Sequence, residues 1–373
     1  MATIEFDFAA LRRFPDVEEP NLFAVDASDR LILNEAATSL SVSAPGEVVV
    51  LGDHYGALTL GASGAHGARD VRVFQDSIIS ERALAFNCAD PTDFVNLPLG
   101  QALLEHATVV LLQLPRSLNE LDEWARAIAR YADPRVVVYA GGRIKHMTLT
   151  MNEVLGRHFG AVRVSRAHQK SRVLIATLPL PTAAPEYPRE FHADLGIWVY
   201  ASGAVFSGTR IDIGTRALLN VIDKAAPDAT SAVDLGCGSG VLGAVLAKAR
   251  PSVAVLATDV SAAAVASARA TASANALSNL RVEQDDAAGT VPDSSVDLVL
   301  MNPPFHVGST VQTATARRMF AETARILKAG GELWTVFNSH LGYRGELERV
   351  VGETIQVARN KKFTVTMSRA RGN

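Results

Sequence analysis

Along the second half of the chain, short runs of apolar, often β-branched residues alternate with stretches of helical periodicity. The runs are Ala232-Val-Asp234, Val253-Ala-Val-Leu-Ala-Thr-Asp259, Leu280-Arg-Val-Glu283, Val296-Asp-Leu-Val-Leu300 and Glu332-Leu-Trp-Thr-Val-Phe337. This is the pattern of βαβ units on a parallel sheet, whose strands are buried on both faces and joined by helical crossovers. Ahead of the last run, Ala316, Met319, Phe320, Thr323, Ile326 and Leu327 recur at helical spacing. They predict an amphipathic helix with one stripe facing the core.

The first half repeats the layout. Glu47-Val-Val-Val-Leu-Gly52 matches the strand ending at Gly236, Val109-Val-Leu-Leu-Gln-Leu-Pro115 matches the strand entering Asn302-Pro-Pro304, and His168-Gln-Lys170 matches Arg359-Asn-Lys361. The offsets are 184, 189 and 191 residues, and three matches in order with slowly growing offsets indicate duplication. Between the halves, Leu178-Pro-Leu-Pro-Thr-Ala-Ala-Pro-Glu-Tyr-Pro188 is proline-rich and without period, which reads as a linker. The expected fold is α/β, two tandem Rossmann-like domains: residues 1–180, a linker at 181–190, and residues 191–373.

Composition narrows the classes. A chain of 373 residues exceeds what one core usually serves. It has no long uncharged apolar stretch, so no membrane partner is expected and a soluble cytoplasmic protein is. Cys88 and Cys237 are the only cysteines, one in each half, and neither has metal-type neighbours, so neither a disulfide framework nor a metal site is expected. The formal net charge of −3 hides an uneven distribution. Residues 1–100 hold fifteen Asp/Glu against six Lys/Arg, whereas residues 116–172 hold eleven Lys/Arg against five Asp/Glu, among them Arg143, Lys145, Arg163, Arg166, Lys170 and Arg172. Arg359, Lys361, Lys362, Arg369 and Arg371 form a second basic group. Such clusters suit phosphates, and they equally suit solvated surface.

The chemistry-bearing motifs lie in the second half. Asp234-Leu-Gly-Cys-Gly-Ser-Gly240 joins a strand to a helix, and Gly236, Gly238 and Gly240 let backbone approach a ligand closely. Gly238-Ser-Gly240-Val-Leu-Gly243 also satisfies the dinucleotide spacing Gly-x-Gly-x-x-Gly, so a nicotinamide-dependent oxidoreductase is the competing reading. Asp234 separates the two, since a carboxylate there repels a pyrophosphate and attracts the ammonium and sulfonium of S-adenosylmethionine. Asp259 ends the next strand, where it is placed either to accept from ribose hydroxyls or to cap the following helix. Asp286, after the third strand, is the candidate for the adenine amino group, in preference to Asp285.

Asn302-Pro-Pro-Phe305 follows the fourth strand, at the sheet edge where open α/β sheets bind ligands. An exocyclic amino group on a purine is a weak nucleophile because its lone pair is delocalised. Acceptors that hold both N–H bonds, here the Asn302 side chain and the Pro303 carbonyl, would aim that lone pair. The prolines stiffen the loop, and Phe305 is placed to stack on a base. His306 is adjacent and reads more simply as structural.

These motifs, with Gly203-Ala-Val-Phe-Ser207 and Ile211-Asp-Ile-Gly214, resemble the bacterial ribosomal RNA guanine-N2 methyltransferases over nearly the whole chain. The resemblance implies two methyltransferase domains, the N-terminal one degenerate, with Phe206, Asp212, Gly214 and Thr215 over the methionine end of S-adenosylmethionine. It implies ribosomal RNA as partner, with the first basic stretch holding it. Leu11-Arg-Arg-Phe-Pro15 and Val110-Leu-Leu-Gln-Leu-Pro-Arg-Ser-Leu118 look more like the 23S member than the 16S member, which stays the alternative. Gly52-Asp-His-Tyr-Gly56 departs from the motif, lacking both its acid and its alternating glycines, so the first copy is expected not to bind the cofactor.

Overall fold

The computed structural model describes residues 6–89, 94–183, 187–304 and 310–372, without the side chains of 310–313. The chain divides into two compact units, Met1–Glu186 and Tyr187–Asn373.

In the first unit the strands are β1 (Val48–Leu51), β2 (Val71–Phe74), β3 (Phe94–Asn96), β4 (Val109–Gln113), β5 (Val137–Arg143), β6 (Phe159–Val164) and β7 (Ser171–Pro179). The helices are α1 (Ala27–Ser41), α2 (Ala57–His66), α3 (Ile78–Asn87), α4 (Gln101–Leu104), α5 (Leu118–Tyr131) and α6 (Leu149–Gly156). The sheet order is β3-β2-β1-β4-β5-β7-β6, parallel except that β7 runs against both neighbours. Central β1, Val-Val-Val-Leu, is buried along its whole length, as a strand covered on both faces must be.

The second unit opens with a separate hairpin, β8 (Arg189–His192) against β9 (Ile197–Tyr200). Its main sheet comprises β10 (Ser231–Leu235), β11 (Ala254–Asp259), β12 (Leu280–Gln284), β13 (Val296–Met301), β14 (Leu327–Asn338), β15 (Thr354–Arg359) and β16 (Phe363–Arg369). The helices are α7 (Ile213–Leu219), α8 (Val241–Ala249), α9 (Ala262–Ala274), α10 (Thr310–Ile326) and α11 (Arg344–Val350). The order β12-β11-β10-β13-β14-β16-β15 reproduces the first sheet strand for strand. The expected α10 stripe is buried, but Leu327 already opens β14, because a longer strand than expected runs back through Gly330 at a φ of 77°.

Register makes the duplication quantitative. Leu51 pairs with Leu112 as Leu235 pairs with Met301, which preserves the first two offsets. The third is one residue longer than the basic turns suggested: Arg143 pairs with Ser171, and Asn338 with Phe363, at equivalent places. The same pairing sets the site, because Leu235 lies beside both Thr258 and Met301. Gly236, Asp259 and Asn302 therefore leave three neighbouring strands at one level of one edge.

Candidate active site

Asn302 is the best-defined polar group at this edge. Its Nδ2 donates to Asp212 Oδ2 at 2.8 Å and to Thr215 Oγ1 at 2.9 Å. Asp212 is the N-cap of α7, accepting from Thr215 N at 2.9 Å, so a helix start and a strand end are tied by one amide. An ionised carboxylate only accepts, which obliges the NH2 side of Asn302 to face Asp212 and turns the carbonyl the other way. That oxygen, Oδ1, is buried and has no hydrogen-bond partner among the described residues. A buried acceptor left unsatisfied costs roughly 1–3 kcal/mol, so its orientation indicates a donor that arrives with a ligand. Gly214 completes the fit: a Cβ there would meet Asp212 Oδ2 at 3.1 Å, Phe363 Cε1 at 3.2 Å and Asn302 Oδ1 at 3.4 Å.

The glycine loop has the backbone that its sequence demands. Gly236, Gly238 and Gly240 have φ of 73°, 54° and 78°, and a Cβ on Gly240 would lie 2.8 Å from that of Ala268. Asp259 holds this loop, accepting from Gly238 N at 2.9 Å through one oxygen and from Ser261 N at 3.0 Å through the other. The cap of α9 is Ser261 itself, which accepts from Ala264 N. Asp259 thus sits beside the glycines, and the helix cap is the neighbouring serine.

Asp234 faces the helix that follows its loop. It is buried, and its Oδ2 accepts from Gly243 N, inside the first turn of α8, at 2.7 Å. Burial pushes its carboxyl up to about 7, and nearby Asp259 adds to the rise. A group so placed braces the helix start. Asp286 is gripped by the Arg318 guanidinium of α10, with Nη1 to Oδ2 at 2.8 Å. Asp285 turns inward onto Thr290, leaving Asp286 as the acid of the pair that meets another helix. Phe206 stands 68% exposed on the loop before α7. Pro303 is buried. Phe305 and His306 lie outside the described residues.

Two contributions were hidden in the sequence. The bonds by which Asp212 and Thr215 fix the Asn302 amide are one, although the Asp-x-x-Thr spacing before an apolar run is a visible helix-start signal. Arg318 gave no signal, since only the fold brings α10 over the end of β12. Among the described residues no cluster of His, Cys, Asp and Glu could hold a metal ion, and no helix is long and apolar enough to cross a membrane.

Comparison with known proteins agrees with this geometry. Residues 196–367 match the family described as the methyltransferase small domain, and residues 1–180 match the RLMG N-terminal domain. The ribosomal RNA large subunit methyltransferase G of Streptomyces avermitilis is 37% identical over 95% of this chain and 95% of its own. That of Stutzerimonas stutzeri is 35% identical over 99% of both. The solved structure of a T. thermophilus 16S rRNA N2 G1207 methyltransferase, in complex with AdoMet and guanosine, superposes with a TM-score of 0.73, covering 98% of this chain and 100% of that one at 21% identity. At that identity the likeness establishes the fold: two tandem Rossmann-like domains. The dinucleotide reading of the glycine loop is set aside by these relatives, and the chain, an S-adenosylmethionine-dependent methyltransferase, belongs to the ribosomal RNA large subunit methyltransferase G family.

Proposed function

We propose that the chain methylates the exocyclic N2 of a guanine in 23S ribosomal RNA, and that Asn302 is the residue that makes the amino group reactive. The observation that carries this is the buried Oδ1 of Asn302, without a partner among the described residues and locked in orientation by the donation of its own amide to Asp212 and Thr215. An oxygen so fixed accepts one N–H of the guanine amino group, and the Pro303 carbonyl is the candidate for the other. With both N–H bonds held, the nitrogen lone pair has one direction left, and orientation rather than a strong base supplies the rate. Asn302 itself cannot take the proton, which leaves to solvent. S-adenosylmethionine supplies, when bound, the electrophilic methyl group. The positive-φ glycine cradle fits its aminoacyl end, Asp259 its ribose, and Asp286 its adenine; Asp212, Gly214, Thr215 and Phe206 border the methionine end, with Asp234 bracing the cradle from below.

Basic turns at the same edge support an RNA substrate. Lys361 and Lys362 are exposed on the β15–β16 turn, next to Phe363, which packs at the Gly214 position beside Asn302. In the first unit the equivalent β6–β7 turn exposes Arg166 and Lys170, with Arg163 and Arg172 on its strands and Lys145 nearby, where Ile144 N donates to the Lys170 carbonyl. Arg143 is partly engaged by Asp26 at 3.2 Å. These are phosphate-holding positions. The test is methyl transfer from labelled S-adenosylmethionine to unmodified 23S and 16S rRNA, with the product mapped by mass spectrometry. Label at a guanine N2 of 23S is expected. Label on 16S alone, or on protein, would overturn the reading.

A further inference from the structure

The hairpin β8–β9 has an inverted character. His192, Ile197 and Val199 are buried against the unit. The opposite face, which in a half-buried hairpin is normally polar, carries Arg189, Phe191, Trp198 and Tyr200, with Arg189 opposite Tyr200 and Phe191 opposite Trp198. Phe191 is 50% exposed and Trp198 39%. Their centroids are 5.2 Å apart but the planes are inclined by 50°, too steeply to stack on each other. The Arg189 guanidinium lies 5.4 Å over the Trp198 ring and donates to the Tyr200 hydroxyl at 3.2 Å. Among the described residues of the two strands, this face holds aromatic rings and the Arg189 guanidinium.

The platform is rigid and points along the domain toward the site. Asn275 accepts from Trp198 N at 2.9 Å and donates back to its carbonyl at 2.7 Å; Tyr200 N donates to Thr271 Oγ1, and Ser202 N to Ser267 Oγ. Strand β9 therefore climbs α9 from its C-terminal end toward its N-terminal end, the end beside Asp259. From there the chain runs through exposed Phe206 to Asp212 and so to Asn302. His192 Nε2 bonds the Thr209 carbonyl at 2.9 Å, tying the hairpin to that loop.

We propose that Phe191 and Trp198, with Arg189, form a stacking platform for unpaired bases of the RNA substrate next to the target guanine. Unstacked bases present flat π-faces and a polyanionic backbone, which these rings and the Arg189 guanidinium complement; sequence-tolerant stacking of this kind is how single-stranded RNA is commonly held. The proposal rests on the RNA-methylating reading above and adds where the strand lies before it reaches Asn302.

Trp124 and Trp334 are 5% and 3% exposed, so an aqueous collisional quencher such as iodide reports on Trp198. With the full chain and a short unstructured oligoadenylate as probe, RNA should shield that fluorescence, and Phe191→Ala and Trp198→Ala should each weaken binding by about tenfold. Trp198→Phe should restore most of it, while S-adenosylmethionine affinity and thermal unfolding stay as in the wild type. Binding of either alanine variant within twofold of wild type overturns the platform. So does shielding of Trp198 before RNA is added, or shielding that grows only with protein concentration, since the first means cover by the chain itself and the second a contact between copies. Wild-type transfer to 23S rRNA, measured alongside, separates the two claims: if it is present the functional reading stands whichever way the variants fall, and if absent both fail.

Discussion

The two units of this chain end their equivalent strands on amides that are braced alike and used differently. In the second unit Asn302 donates to the N-cap Asp212 and to Thr215, the third residue of α7. In the first, Gln113 at the same register donates to Ser28 and to Asp29, the third residue of α1, whose N-cap is Asp26. The brace has survived duplication, but the extra methylene of Gln113 brings its own carbonyl oxygen within 3.4 Å of Ser28 Oγ. One amide presents an acceptor and the other consumes it. Asp259 has a similar counterpart: Gln75 comes one residue after the partner of Leu51 as Asp259 comes one after the partner of Leu235, and the buried Nε2 of Gln75 has no partner among the described residues. The first copy kept the scaffold of a site and lost the charges and acceptors that make it one.

The sharpest way to break this contrast is at Asn302. Asn302→Ala should lower transfer by about 10²–10³-fold, the size seen when one fixed polar group facing a reacting centre is removed. S-adenosylmethionine affinity by calorimetry should remain within about threefold, because the cofactor's main contacts lie on other strands. Gln113→Ala should leave the rate within about twofold, since in this reading it orders only its own unit. A comparable rate loss from both would mean that the first unit shares in catalysis.

Cofactor binding gives the next largest difference. Asp259→Ala removes the carboxylate that tethers Gly238 and is expected to receive the ribose, so affinity should fall roughly a hundredfold, as for lost hydrogen bonds to a charged group. Gln75→Ala should leave both the affinity and the stoichiometry of one per chain unchanged. Two sites per chain by calorimetry would show that the first copy still binds.

Much of this was legible because strands buried on both faces write themselves as apolar runs, and a loop that needs positive φ favours glycine. Runs such as Val48–Leu51 and Val296–Met301 located both sheets, and the chain offsets placed Gln113 opposite Asn302 before any coordinate was known. What stayed hidden depended on direction and partner. Asp234 was visible as an acid at a strand end, but not that it faces α8. The first copy was expected to lack both the acid and the alternating glycines. Its backbone nevertheless keeps positive φ at Gly52, His54 and Gly56, and its acid sits at Asp53.

A smaller effect probes the brace of the catalytic amide. Asp212→Ala removes both the α7 cap and an acceptor for Asn302 Nδ2. Cap loss should cost about 1 kcal/mol of stability, and a freely turning Asn302 should lower kcat about tenfold with little change in cofactor affinity. Asp212→Asn, still a competent cap whose side-chain oxygen can accept from Asn302, should recover most of both. If it behaves like the alanine variant, the negative charge rather than the geometry is what matters.

A second feature the two copies share is a buried acid at the loop before a helix. Asp53 accepts from the amide of Thr59, and Asp234 from that of Gly243, each the third residue of the helix after its loop, although the acids sit at different places along the chain. Burial pushes Asp53 up to about 6 and Asp234 up to about 7, against an unfolded aspartate near 4. Each carboxyl thus binds its proton more tightly in the folded chain. The stability it contributes is fully present below about pH 4 and is lost as pH rises through about 6 for Asp53 and about 7 for Asp234. Asn is neutral throughout and its side-chain oxygen can still accept from the same amide. Thermal unfolding of Asp53→Asn and Asp234→Asn should therefore gain on the wild type by several °C between pH 4 and 8, the first over the lower part of that range and the second over the upper. Curves that stay parallel to the wild type across the range would mean that the two acids are held ionised, and that the shared amide is braced by a charge after all.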